Sequence, residues 1–139
     1  LGGLSLTSGR AEFARSVYEG LAYSLRHIVE TVEGCGAPVI DIRLSGGLAR
    51  SAVLSQIKAD ILGKPLTALA DTELTTIGLA IIAAVALGAF STHCDAAECF
   101  VRPGQRFEPA PSRSTYVILY GRYLAEASRL DRRSIPASA

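Results

Sequence analysis

Residues 38–62 read PVIDIRLSGGLARSAVLSQIKADIL, and this stretch decides the fold. Pro38 to Leu44 is short, rich in β-branched residues and set between Gly36 and Gly46, the signature of a strand. Ser45-Gly46-Gly47 forms a tight loop. Ala49 to Leu62 then spaces Val53, Leu54, Ile57, Ile61 and Leu62 along one helical face. A glycine pair between a strand and a helix lets backbone approach a ligand with no Cβ in the way. The helix start behind it offers unpaired N–H groups and a positive dipole end. Ligands of open α/β sheets gather at such carboxyl ends of strands. On residue pattern alone, a tight turn that holds no ligand is an equal reading.

Outward from this unit, helices dominate. Upstream, Arg10 to Glu33 carries Ala14, Val17, Tyr18, Leu21, Leu25, Ile28, Val29 and Val32 at spacings of three and four. Thr7 or Ser8 is suited to cap its start, and Gly34-Cys35-Gly36 to end it. Gly20 in its middle costs up to about 1 kcal/mol against alanine, so close approach of another backbone is expected there. Downstream, Gly63-Lys64-Pro65 breaks the second helix and Leu66 to Ala70 forms a second strand. Asp71 or Thr72 would cap a third helix with Glu73 in its first turn. That helix, running to Leu87, is apolar nearly all round and expected to be buried on most sides. Gly88 stops it. Asp95 to Phe100 suggests a short helix, and the three prolines between Val101 and Ser112 an irregular surface connection. Ser114 to Arg132 is the last helix, with Tyr116, Leu119, Tyr120, Tyr123, Leu124, Ala127 and Leu130 on one face. Residues 1–133 thus form one domain piece and 134–139 a frayed tail.

The order is helix, strand, helix, strand, helix, helix, which implies an α/β fold with two parallel strands. Two strands are too few to cover three long helices, so further strands are expected upstream of Leu1. The absence of methionine likewise suggests a piece of a longer protein. For the chain by itself, exposed apolar faces and strand edges predict a homodimer or larger oligomer.

Composition excludes several function classes. The 49% hydrophobic content supports a core and not a disordered chain. A net charge of +1 leaves no basic excess to bind a nucleic-acid backbone. The uncharged run from Ile77 to Phe90 is shorter than the roughly 18 residues a membrane span needs, and Leu1 to Leu6 lacks a basic signal-peptide start. Cys35, Cys94 and Cys99 form no disulfide framework, which suggests a reducing, cytoplasmic compartment. His93, Cys94 and Cys99 offer too few ligands in too poor a spacing for zinc. His27 reads as a surface residue. Asp41 and Asp71 lie near strand ends without a second placed carboxylate or histidine to make either a general base. Gln56 and Asp60 are assigned structural hydrogen bonds, and the tyrosines of the last helix a packing face.

Leu44 to Pro65 resembles the adenosine-motif region of the FGGY carbohydrate kinases, two-lobed sugar kinases of the actin-like ATPase superfamily. Arg15 to Tyr23 resembles the helix that precedes that motif. Glu73-Leu74-Thr75-Thr76-Ile77-Gly78-Leu79-Ala80 resembles the helix that follows it, where the family reads more like E-x-T-A-x-G-A-A. Tyr116 to Leu124, with tyrosines at 116, 120 and 123, resembles the family's C-terminal helix. The resemblance implies part of a ribonuclease-H-like domain, and ATP with Mg as cofactors. It places the backbone of Gly46, Gly47, Leu48 and Ala49 against the ribose and α-phosphate, and Ser51 near adenine. Leu48 stands where many members have a third glycine. Arg50 matches an often basic position, able to reach a phosphate or to stay solvated. The implied parent reaction moves the γ-phosphate of MgATP to a sugar or polyol hydroxyl. By the same resemblance, the catalytic aspartate, the sugar contacts and the Mg ligands lie upstream, so the chain alone is expected to be inactive. The rival expectation is a non-catalytic module that binds no nucleotide and self-associates.

Overall fold

The computed structural model describes residues 9–71 and 73–134. The caps assigned to Thr7, Ser8 and Thr72, and the tail beyond Ser134, lie outside these residues. Helix α1 spans Arg10–Gly34, strand β1 Arg43–Leu44, and a 3-10 turn Gly47–Arg50. Then follow α2 (Ala52–Leu62), β2 (Leu66–Leu69), α3 (Leu74–Ala86), α4 (His93–Phe100), β3 (Pro103–Phe107) and α5 (Arg113–Ser134).

Strands β1 and β2 are parallel, as expected, with Arg43 opposite Thr67 and Leu44 opposite Ala68. The β1 ladder is shorter than the apolar run suggests: Thr67 N donates to Ile42 O at 2.9 Å, and pairing begins only there. The two-strand expectation needs correction, because β3 pairs antiparallel with β2 and makes β2 the central strand. Its prolines and glycine hid it. Pro103 opens an edge strand, where a missing N–H costs little. Gly104 lies beside the irregularity between Thr67 and Leu69, where a Cβ would stand 2.6 Å from Ala68 O. Only glycine fits a backbone approach that close.

Helix α2 is the middle layer. Its Ala59 and Leu62 pack on the sheet with Leu44, Leu66, Ala68 and Phe107, joined by Val29 of α1. Its Ile57 and Ile61 face Ala22 and Tyr23 of α1 and Tyr116 and Tyr120 of α5. Burying such a side chain contributes about 1.5–3 kcal/mol. The tyrosines of α5 form the packing face read from the sequence, and their hydroxyls zip α5 to α1. Arg15 donates to the Tyr116 hydroxyl at 2.7 Å, the Tyr120 hydroxyl donates to Glu30 at 2.7 Å, and Arg26 lies 4.1 Å above the Tyr120 ring.

Several expectations fail in the outer elements. No residue of α3 is buried; it packs against α4, with Leu79, Ile82 and Leu87 65%, 58% and 85% exposed. Uniform apolarity marks a helix that suits burial, but no layer among the described residues covers this one. Glu73 is its N-cap residue and makes no side-chain cap bond, while Asp71 is engaged elsewhere. In α1, Val17, Tyr18, Leu21, Ile28 and Val32 remain exposed, because α2 and α5 occupy only one side. Gly20 has no heavy atom within 4 Å of where a Cβ would be, so close backbone approach does not explain it. The helix stops are as read. Gly36 and Gly88 take positive φ, and the N–H groups of Gly36 and Ala37 close on Glu33 and Val32.

Candidate functional site

The glycine turn sits where the parallel strands end. Gly46 has φ +81°, the left-handed region that glycine enters freely, whereas Gly47 does not need positive φ. Both have open space where a Cβ would point. The chain then tightens into the 3-10 turn, with Ala49 N donating to Gly46 O at 3.1 Å. The α-helix therefore starts at Ala52 and not Ala49, with Ser51 as its cap: the Ser51 hydroxyl accepts from Leu54 N at 3.3 Å. Ala49 is buried in the sheet-side core and anchors the turn, while Leu48 projects outward.

A cavity of about 330 Å³ opens beside this turn. Ala49, Arg50 and Ala52 form one wall, the end of β2 the floor, and Gly104, Gln105 and Phe107 the opposite wall. Of the five expected site residues, Ala49 lies in the wall, with Arg50 as its cationic neighbour. Gly46, Gly47 and Leu48 form the turn leading to it, and the Ser51 hydroxyl is committed to the helix cap. The β3 wall was missed from sequence. Its sequence, Pro-Gly-Gln-Arg-Phe, carries no apolar alternation, since only Phe107 of the five residues is buried, and three nearby prolines mask the strand further.

At the same end of the sheet, Arg102 grips Asp71 with two hydrogen bonds of 2.8 and 3.1 Å. The hydrogen bond from Arg102 holds the Asp71 carboxyl below its usual range, which fits an ion pair and not a proton acceptor. Asp41 is likewise paired, with Arg43 at 2.7 Å. Gln56 and Asp60 make the structural hydrogen bonds expected of them, at 2.8 Å to each other and onward to the β3–α5 connection. A wider opening of about 770 Å³ lies on the other face of the sheet, between Arg43, Thr67 and Arg106 and the Cys94 and Glu98 side of α4. Among the described residues, no three His, Cys, Asp or Glu side chains are grouped to hold a metal ion.

This strand–glycine turn–helix geometry is found again among sugar kinases. The profile of the FGGY family of carbohydrate kinases, C-terminal domain, matches residues 1–87. Ribulokinase from Mycolicibacterium smegmatis is 36% identical over 115 residues, which cover 79% of this chain and 20% of that protein. Xylulose kinase from Staphylococcus epidermidis is 36% identical over 107 residues, covering 77% and 22%. Among solved structures, xylulose kinase from Rhodospirillum rubrum superposes with a TM-score of 0.79 at 32% identity, over 94% of this chain and 27% of that one. A kinase from Brucella ovis reaches 0.82 at 21% identity, a likeness of fold. The chain belongs to the FGGY family of carbohydrate kinases, in its C-terminal domain, and has part of the actin-like ATPase fold of that family. It spans about a fifth to a quarter of the length of these relatives.

Proposed function

We propose that this chain supplies the nucleotide-facing part of a kinase that transfers the γ-phosphate of MgATP to a sugar or polyol hydroxyl. The observation that carries this reading is the open Gly46–Gly47 turn with a cavity beside it, at the carboxyl end of the parallel strands. Exposed glycine backbone and the start of an α-helix suit an anionic, sugar-bearing ligand. The backbone of Gly46, Gly47, Leu48 and Ala49 would meet the ribose and α-phosphate, and Ser51 would border adenine, its hydroxyl fixed toward the helix. Arg50 adds positive charge. Phosphoryl transfer depends on positioning and charge stabilisation, and this chain contributes positioning. No cluster among the described residues fits Mg²⁺, so no ligand of that ion is assigned here. Three exposed, unpaired thiols favour a cytoplasmic setting.

ATP titration of the 139-residue chain by calorimetry tests the reading, with saturable binding expected. Gly47→Val places two methyl groups in the open space beside the turn and is expected to abolish binding while the fold persists. Unchanged affinity in that variant removes the nucleotide from this loop. No sugar turnover is expected from the chain alone, since no residue here matches the family's catalytic aspartate. A second reading, self-association into a homo-oligomer, is favoured by the uncovered apolar surface of α3. Light scattering that finds only monomer at high micromolar concentration would exclude it.

A further inference from the structure

We infer that Asp60 is a positioning residue for the cavity beside the glycine turn, acting through the connection between β3 and α5. This rests on the nucleotide reading of that cavity. Asp60 lies in the third turn of α2 and is only 5% exposed. No cation is paired with it among the described residues. Its carboxylate is satisfied by donors instead: Gln56 Nε2 and Ala110 N reach Oδ1 at 2.8 Å each, and the Ser112 hydroxyl reaches Oδ2 at 2.6 Å. Gln56 Nε2 also donates to Glu108 O at 2.8 Å. A buried carboxylate is costly unless it is hydrogen-bonded in this way. A carboxylate accepts from all three donors together; an amide can still accept two at its oxygen, but the Ser112 hydroxyl must then reverse to accept from its N–H, and the negative charge is lost.

The bonds join two walls of one site. The first turn of α2 carries Ala52, beside Ala49 and Arg50, on one side of the cavity. Gly104, Gln105 and Phe107 stand on the other, and the chain runs directly from Phe107 into Glu108–Ser112. Two side chains one turn apart on α2 therefore hold the strap that continues the far wall. The width of the cavity is set from a single rigid helix. The strap lies beyond the residues that the family profile matches, so it is a part of the site that the matched region does not contain.

The test compares Asp60→Asn, Ser112→Ala and Tyr120→Phe in the 139-residue chain. Tyr120→Phe removes a hydrogen bond between α1 and α5, away from the strap, and controls for a general loss of stability. ATP affinity is measured by calorimetry well below each melting temperature, and amide hydrogen exchange is followed over residues 104–112. Asp60→Asn is expected to speed exchange there and to weaken ATP binding about tenfold, the equivalent of one charge-assisted hydrogen bond. Ser112→Ala shows the same pattern more weakly and carries the test if Asp60→Asn does not fold. Tyr120→Phe leaves the affinity unchanged. Affinity within about twofold of wild type in both strap variants overturns the positioning role and spares the nucleotide reading. Wild-type chain that binds no ATP overturns both.

Discussion

Helices α2 and α3 follow consecutive strands and are both rich in apolar residues, yet their fates differ. Ile61 of α2 is fully buried between α1 and α5, whereas Ile82 of α3 is 58% exposed. Apolar composition makes a helix fit to be covered; a neighbouring layer decides whether it is. Helix α2 finds the sheet on one side and two helices on the other, while α3, among the described residues, packs chiefly against α4.

The largest expected effect tests that contrast directly. Ile61→Ala should cost about 2–5 kcal/mol in denaturant unfolding, because it opens a cavity in a packed core. Ile82→Ala should fall within about 0.5 kcal/mol, as surface changes do. Similar losses at the two sites would mean that α3 is covered in solution.

The next effect concerns the zipper between α1 and α5. Burial, reinforced by the nearby Glu19 charge, pushes the Tyr23 phenol up to about 12. Burial and the hydrogen bond to Glu30 do the same for Tyr120. A phenol with a raised folded-state pKa keeps its proton longer when folded than when unfolded. Its contribution is intact below the ordinary value of 10.0 and is lost as pH rises toward about 12. Alkaline titration of the melting temperature should show this decline, and Tyr120→Phe should reduce its slope. An unchanged slope in that variant would place the phenol in solvent.

The smallest effect lies at the half-exposed latch where Lys64 meets Glu33 at 2.7 Å. The hydrogen bond from Lys64 holds the Glu33 carboxyl below its ordinary value. That stabilisation is present at neutral pH and is lost as pH falls through the lowered pKa. Lys64→Met should flatten the acid limb of the stability curve slightly, as read by thermal melts between neutral and acidic pH.

The sequence revealed elements whose signal is local. The glycine turn announced itself by residue type, α2 by its period, and Asp60 by its place one turn from Gln56. The parallel pair was visible from the β-branched run that leads into β1, Val39-Ile40-Asp41-Ile42, and from the short apolar stretch after Pro65 that holds β2. Strand β3 was not, since Pro103 and Gly104 are breakers in most contexts and are tolerated here only by an edge position and a bulge. The exposure of α3 and of one side of α1 could not be read, because periodicity names the apolar face and is silent on what lies against it. At the site, the turn was legible residue by residue, but its partner wall required knowing that residues far along the chain return to β2.

That return has a consequence for synthesis. Arg15 and Tyr116, which join α1 to α5, are separated by 101 positions. A ribosome adding about 5–20 residues per second would take roughly 5–20 s between them. Through that interval the Tyr23 side of α1 waits on the nascent chain without its partner, although α2 has already emerged. Chaperone capture, or misdocking on another apolar helix, would compete with native closure during those seconds.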